Sequence, residues 1–307
     1  MKPDPKDPSV LLLGASGFLG PALRDAFGAE RTVTTHLTHS GEGSLFFDAR
    51  FTRVADFVAA LPGKPAAAVI LLGITNIDHC ARDPAGSAEV NVRGIIRVID
   101  DARALGILPV FVSSDAVFDG SRGYWSEDDE PMPILTYGRQ KLAVERHLAA
   151  LPAPWIIVRL PKLISPEQDA RCFVSGWVEG LGRRERILCA TDQYFTPAAV
   201  PDAARAIAQL VQARAQGLYH LGGPERLSRR ALLDAVLGEY RKFEKPMAEV
   251  SECSLRDIPV LEPRPLDTSL RSDRFKTDFG TPFRAAGEVA RAAVRSHFAA
   301  HAQDGGK

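Results

Sequence analysis

Cysteine and excess charge of either sign are scarce in this chain. Only four cysteines occur in 307 residues (Cys80, Cys172, Cys189 and Cys253), and no pair stands at a ligand-like spacing. That scatter argues against a disulfide framework and against a metal site, so the thiols read as reduced, as expected for a cytoplasmic protein. Lys+Arg and Asp+Glu balance at 38 each, which leaves no net charge to attract nucleic acid or an anionic membrane. The longest apolar run, residues 66–74, is too short to cross a bilayer, and the opening ten residues are charged and proline-rich rather than signal-like. Nucleic-acid-binding, membrane-spanning and secreted classes are thereby set aside.

What is present is alternation. Residues 10–13 form a short apolar run followed by glycine, as a buried strand should, and 19–27 has helical spacing. Strands are expected at 32–37, 44–47, 68–72, 110–113 and 155–158, with helices at 51–61, 90–105 and 137–151 between them. The last helix is closed by Pro152 and Pro154. Repeated strand–helix units with continuous apolar strands predict an α/β fold, a doubly wound parallel (Rossmann) sheet covered on both faces. After about Arg159 the rhythm becomes irregular, with isolated helices at 228–240 and 285–300. The expected organisation is a dinucleotide-binding domain over 1–162, to which 198–213 returns as a covering helix, and a smaller C-terminal substrate-binding domain over 163–307.

Gly14, Gly17 and Gly20 follow the first strand and open the first helix. Gly14 suits a tight turn, Gly17 lets backbone approach a pyrophosphate, and Gly20 lets the helix pack closely. The helix N-terminus then offers N–H groups and a positive dipole end to phosphate. The second strand ends Thr34-Thr35-His36-Leu37-Thr38-His39 without the carboxylate that would hold the ribose hydroxyls of NAD, which favours NADP(H) over NAD(H). Asp48, closing the third strand, fits either an acceptor for the adenine amine or a plain loop cap.

Tyr137 and Lys141 lie four apart at the start of a helix and so project from one face. A phenol is a weak acid with a pKa near ~10; a neighbouring ammonium is expected to lower it and fit it for proton transfer to a ketone oxygen as hydride reaches the carbon. Ser113 and Ser114 end a buried strand, the edge at which open α/β sheets carry active groups, where a hydroxyl can hydrogen-bond a substrate carbonyl.

These stretches resemble the extended short-chain dehydrogenase/reductase family, in its dTDP-4-dehydrorhamnose reductase-like branch. The match runs through Ser113-Ser-Asp-Ala-Val-Phe-Asp-Gly120, Glu127, Pro131, Pro133 and Tyr137-Gly-Arg-Gln-Lys141-Leu, with support from Thr75-Asn-Ile-Asp-His-Cys80, Pro84, Val90-Asn91-Val92, Gly217-Leu-Tyr-His-Leu-Gly-Gly-Pro-Glu225 and Arg264-Pro265. The resemblance implies a nicotinamide cofactor and a nucleotide-linked sugar substrate, with Ser114, Tyr137 and Lys141 as the catalytic triad. It implies further that Gly14, Ser16, Gly17, Phe18, Leu19, Leu72 and Gly73 line the cofactor, with Tyr137 and Lys141 touching it as well. Ser113, Ser114, Asp115, Lys162, Gln193 and Thr196 would face the sugar nucleotide. Ala116 stands where the branch has an aromatic residue, and Lys162 where it has a sugar-contacting tryptophan. The expected activity is reduction of a 4-keto sugar nucleotide by a cytoplasmic protein, compatible with a homodimer. The alternatives are a non-catalytic dinucleotide-binding subunit like the methionine adenosyltransferase β subunit, and a nucleotide-sugar epimerase.

Overall fold

A computed structural model describes residues 10–39, 41, 43–169, 171–280 and 283–304. The chain divides into two compact units. The first comprises residues up to Val117 together with Pro133–Arg159 and Ala204–Tyr219; the second comprises Phe118–Met132, Leu160–Ala203 and the chain from His220 onward.

The first unit is built on a seven-stranded sheet. Its strands are β1 (Val10–Leu13), β2 (Thr32–His36), β3 (Leu45–Phe46), β4 (Ala67–Ile70), β5 (Leu108–Ser114), β6 (Ile156–Leu160) and β7 (Gly217–His220), in the spatial order β7-β6-β5-β4-β1-β2-β3. β1 pairs in parallel with β2 (Val10 opposite Thr32) and with β4 (Val10 opposite Ala67). β4 continues to β5, with Ala67 opposite Leu108, and β2 to β3, all in parallel. The direction of winding therefore reverses between β1 and β4, and ligands of such sheets bind in the crevice beyond the carboxyl ends at that point.

The central strands β1 and β4 are apolar and buried throughout because helices cover both faces there, whereas β2 carries three threonines and a histidine and β3 at the edge is exposed. The helices of this unit include α1 (Gly20–Phe27), α2 (Val54–Ala59), α3 (Ile95–Ala104) and α4 (Thr136–Ala150). Leu11, Leu13, Ala68, Ile70, Phe111 and Ile157 form one sheet face, packed under Val54, Ile95, Val98, Ile99, Val144 and Leu148 of α2, α3 and α4. Leu23 and Phe27 of α1 are buried as well.

In the second unit, strand Arg186–Ala190 pairs in parallel with Glu249–Cys253, and Tyr194–Phe195 pairs antiparallel with Leu227–Ser228. Helices Phe173–Leu181, Arg229–Tyr240 and Ala286–Asp304 pack together, with the Tyr240 ring 5.1 Å from that of Phe298. The four cysteines are free thiols. Among the described residues, no helix is long and apolar enough to cross a membrane.

Candidate active site

The glycine turn sits at the reversal point between β1 and β4. Gly14 has φ +85°, and a Cβ there would come within 3.3 Å of the Leu72 backbone, so the turn after β1 and the turn after β4 press against each other. Gly14 N–H donates to Thr35 Oγ1 (2.9 Å) and Ala15 N–H to Thr35 O (2.9 Å), which ties the turn to β2. A Cβ on Gly17 would meet only Gly14 O, at 3.6 Å, so this point of the turn is open to a ligand. Gly20 has a different task from the expected packing of helix on sheet: a Cβ there would fall 1.9 Å from Ala15 O, so glycine is needed for α1 to start against its own turn. No acidic residue occupies the first turn of α1, which leaves its positive end uncompensated by a carboxylate.

Ser114, Tyr137 and Lys141 are brought together. The residue after Tyr137 is what permits it. A Cβ on Gly138 would lie 2.0 Å from Ala116 O, so only glycine lets α4 seat directly on the turn that follows Ser114. The Ser114 hydroxyl lies close enough to the Tyr137 phenol to act on its pKa, and it donates to Asp115 Oδ1 at 3.0 Å. The Lys141 ammonium is buried, donates to Val112 O (2.9 Å) and lies 4.8 Å from the Phe111 ring centroid and 5.8 Å from that of Tyr137.

The electrostatics differ from the sequence expectation in one respect. Burial raises the Tyr137 pKa well above that of a free phenol, reinforced by the negative charge of Asp115, and this outweighs the Ser114 hydrogen bond. No lowering by Lys141 contributes. The phenol is thus held protonated, the form of a proton donor. Burial pulls Lys141 down to about 8, opposed first by the carboxylate of Glu145 one turn further along α4. Both shifts follow from placing ionisable groups where water cannot solvate their charge.

Two supports rest on residues whose role the sequence reading did not assign. Asn91 is buried in a wide turn over Glu89–Gly94 that holds one more residue than an α-turn. It receives the Ile74 N–H (2.7 Å) and donates to Ile74 O (2.9 Å) and Gln140 Oε1 (2.7 Å); Gln140 in turn donates to Ser87 Oγ (2.7 Å). The Gly73–Ile74 turn is thereby fixed to α4. Gly73 has φ +141°, and a Cβ there would press on Asn91 Oδ1 at 3.0 Å. The second support is a fully buried ion pair, Glu145–Arg159, joined at 2.7 Å. The signal for Asn91 was a polar residue inside an apolar helical stretch; for Glu145 it was the spacing 137, 141, 145 on one helix face.

The remaining expected residues separate. The Ser113 hydroxyl turns inward and donates to Glu145, as strand alternation requires of Ser114's neighbour. Both Asp48 carboxylate oxygens are engaged by Arg50, which holds its pKa below the usual range. Asp48 thus caps its own loop. Lys162, Gln193 and Thr196 belong to the second unit. There the Thr196 hydroxyl accepts from Leu270 N–H (3.0 Å), Gln193 O accepts from Arg229 N–H (2.8 Å), and Lys162 Nζ lies 5.7 Å from the Phe173 ring centroid.

A doubly wound sheet with a glycine turn at its reversal point, and a Ser–Tyr–Lys group at its carboxyl edge, defines a Rossmann-type protein of the dehydrogenase/reductase kind. Residues 8–297 match the RmlD substrate binding domain, and the chain belongs to that family. A dTDP-4-dehydrorhamnose reductase of Streptomyces griseus is 31% identical over 228 residues, 72% of each chain. The solved structure of a hypothetical dTDP-4-dehydrorhamnose reductase from Sulfolobus tokodaii is 27% identical, covers 90% of this chain and 96% of its own, and superposes with a TM-score of 0.77. The methionine adenosyltransferase 2 subunit beta of Bos taurus is 26% identical over 230 residues, 68% of this chain and 67% of its own. The branch read from residues 113–120 and 137–142 is therefore the one to which the chain belongs.

Proposed function

We propose that this protein is an NAD(P)H-dependent reductase of a 4-keto sugar nucleotide. The observation that carries the reading is the convergence of half-buried Ser114 with buried Tyr137 and Lys141, the phenol held protonated and Ser114 acting on it. A nicotinamide cofactor supplies the hydride when bound. The residues that fit it are the turn Gly14, Ser16, Gly17, Phe18 and Leu19, open at Gly17, and the Leu72–Gly73 turn beside it. Lys141 and Tyr137 complete its surroundings. The absence of a carboxylate at the end of β2, where His36 hydrogen-bonds Ser44 (3.1 Å), favours NADP(H).

In this reading Ser114 receives and orients the substrate carbonyl. Tyr137 donates its proton to the ketone oxygen as the carbon is reduced. The resulting phenolate is stabilised by the Ser114 hydroxyl, the group that acts to lower the Tyr137 pKa, while Lys141, whose charge Glu145 supports, holds the nicotinamide ribose. The names of the Streptomyces griseus and Sulfolobus tokodaii relatives support the substrate class. The test is NADPH and NADH binding, then loss of NADPH absorbance with a panel of 4-keto-6-deoxy sugar nucleotides. Turnover with one of them is expected; no turnover across the panel overturns the assignment. The 26% identity to a methionine adenosyltransferase subunit supports a second, non-catalytic reading. Tight dinucleotide binding with no turnover, and a stable enzyme partner in pull-down, would favour it.

A further inference from the structure

The second unit contains a guanidinium whose charge no carboxylate among its described residues balances. Arg229 opens helix Arg229–Tyr240, and its side chain lies over two aromatic rings, 5.4 Å from the Phe173 centroid and 5.0 Å from that of Trp177. The two rings meet edge to face, 5.0 Å apart. Among the described residues no hydrogen-bond acceptor and no carboxylate meets the guanidinium. Its neighbour Arg230 pairs with Asp234 and Glu252, and Arg226 pairs with Asp267, so the carboxylates of this region are engaged elsewhere. The acidic groups that act on Arg229 are the thiols of Cys189 and Cys253; burial raises both, which keeps them neutral. Burial in turn pulls the Arg229 pKa down, the mark of a cation lacking its counter-charge.

A second cation approaches the same ring. Lys162 Nζ lies 5.7 Å from the Phe173 centroid. Lys162 is exposed while Arg229 is largely buried, so the ring carries one solvated cation at its rim and one shielded cation beneath. An arginine keeps five donors in a rigid fork suited to phosphate or carboxylate oxygens. Ring stacking contributes to holding the guanidinium but satisfies none of those donors.

We infer that Arg229 and Lys162, gathered around Phe173 and Trp177, form an anion-receiving site for an oxyanion group of the substrate. The site deepens the proposed reductase function and rests on it for the identity of the ligand. A nucleotide sugar carries such a group in its diphosphate, and also on the sugar when the sugar is an acid. Both sources present the same oxygen chemistry to the arginine fork.

The test is binding to the full-length protein, read by tryptophan fluorescence or calorimetry, with dTDP, UDP, UDP-glucose and UDP-glucuronic acid as probes. Wild type is compared with Arg229→Met, which keeps the stacked stem and removes the charge, and with Arg229→Lys and Lys162→Met. NADPH binding and thermal unfolding report that each variant is folded. Arg229→Met should weaken binding by on the order of 10- to 100-fold, as loss of a charged hydrogen-bonding partner does, with Arg229→Lys recovering part of it. A loss seen with the nucleoside diphosphates themselves assigns the site to the diphosphate. A loss confined to UDP-glucuronic acid assigns it to a sugar carboxylate. Wild-type affinity for all four probes in Arg229→Met, or no binding of any probe to wild type, overturns the inference. Reductase turnover is measured in parallel: turnover with unaltered KM in Arg229→Met sinks the anion site alone, whereas binding without turnover sinks the reductase assignment alone.

Discussion

Replacing Gly138 by alanine tests the seat on which the candidate site is built. The added Cβ would lie 2.0 Å from Ala116 O and 2.9 Å from Pro133 Cβ, whereas ordinary contact begins at 3.4 Å. The first residue of α4 after Tyr137 must then withdraw from the Ser114–Ala116 turn by about 1.4 Å, the difference between those contact distances. Alanine is a better helix former than glycine by roughly 1 kcal/mol, which opposes the clash. Overpacking against backbone costs about 1–3 kcal/mol, so a net loss of roughly 1 kcal/mol in stability is expected. The functional effect should be larger. Tyr137 is carried with the helix, and a misplacement of about 1 Å at a reacting centre lowers turnover on the order of 100-fold. Gly176→Ala is the matched control, because nothing lies within 4 Å of its Cβ in helix Phe173–Leu181. It should leave both stability and turnover at wild-type level or slightly improve stability. The assays are thermal unfolding and NADPH-dependent turnover. A Gly138→Ala protein as stable and active as Gly176→Ala would refute the close-approach argument.

Further outcomes follow from the same geometry. Lys141 is held at about 8, below its unfolded value near ~10.4. Turnover should therefore fall as pH rises through about 8, while this group's penalty on the folded state disappears over the interval from its folded to its unfolded pKa. Glu145→Gln removes the carboxylate that supports that charge, so the alkaline limb of the pH–rate profile should move to lower pH; a limb that stays in place contradicts the role given to Glu145. Arg159→Met leaves Glu145 buried without its cation and should cost about 3–5 kcal/mol, most of it recovered in the double variant Glu145→Gln/Arg159→Met, as chemical denaturation would reveal. Asn91→Ala breaks both bonds to Ile74; kcat should drop while α/β circular dichroism is retained.

Much of the fold was legible because the apolar runs are both short and uninterrupted. Residues 10–13, bounded by glycine, coincide with β1, and the proline pair at 152 and 154 closes α4 at Ala150 as expected. The helix expected at 198–213 runs over Val200–Gln212. The short helices Ile77–Arg82 and Pro84–Ala88 escaped, since their sequence has no apolar period and they start from the side-chain caps Asn76 and Asp83. In the site, the 137–141 spacing located the pair, but the sign of the Tyr137 shift depends on burial, which spacing does not encode. Ser113 and Ser114 look equivalent in sequence; strand alternation sends one to Glu145 and the other to Tyr137. Arg229 gave no signal, because its meaning lies in what surrounds it: two rings, a second cation and, among the described residues, no carboxylate.

The most direct measurement is turnover of Tyr137→Phe with NADPH and an accepted 4-keto sugar nucleotide, alongside its NADPH affinity. The change removes one hydroxyl and keeps the ring in its buried place. Turnover should drop by about 10²- to 10⁴-fold, the usual worth of a positioned proton donor, with NADPH affinity preserved. A Tyr137→Phe protein that turns over within a few-fold of wild type would contradict the account.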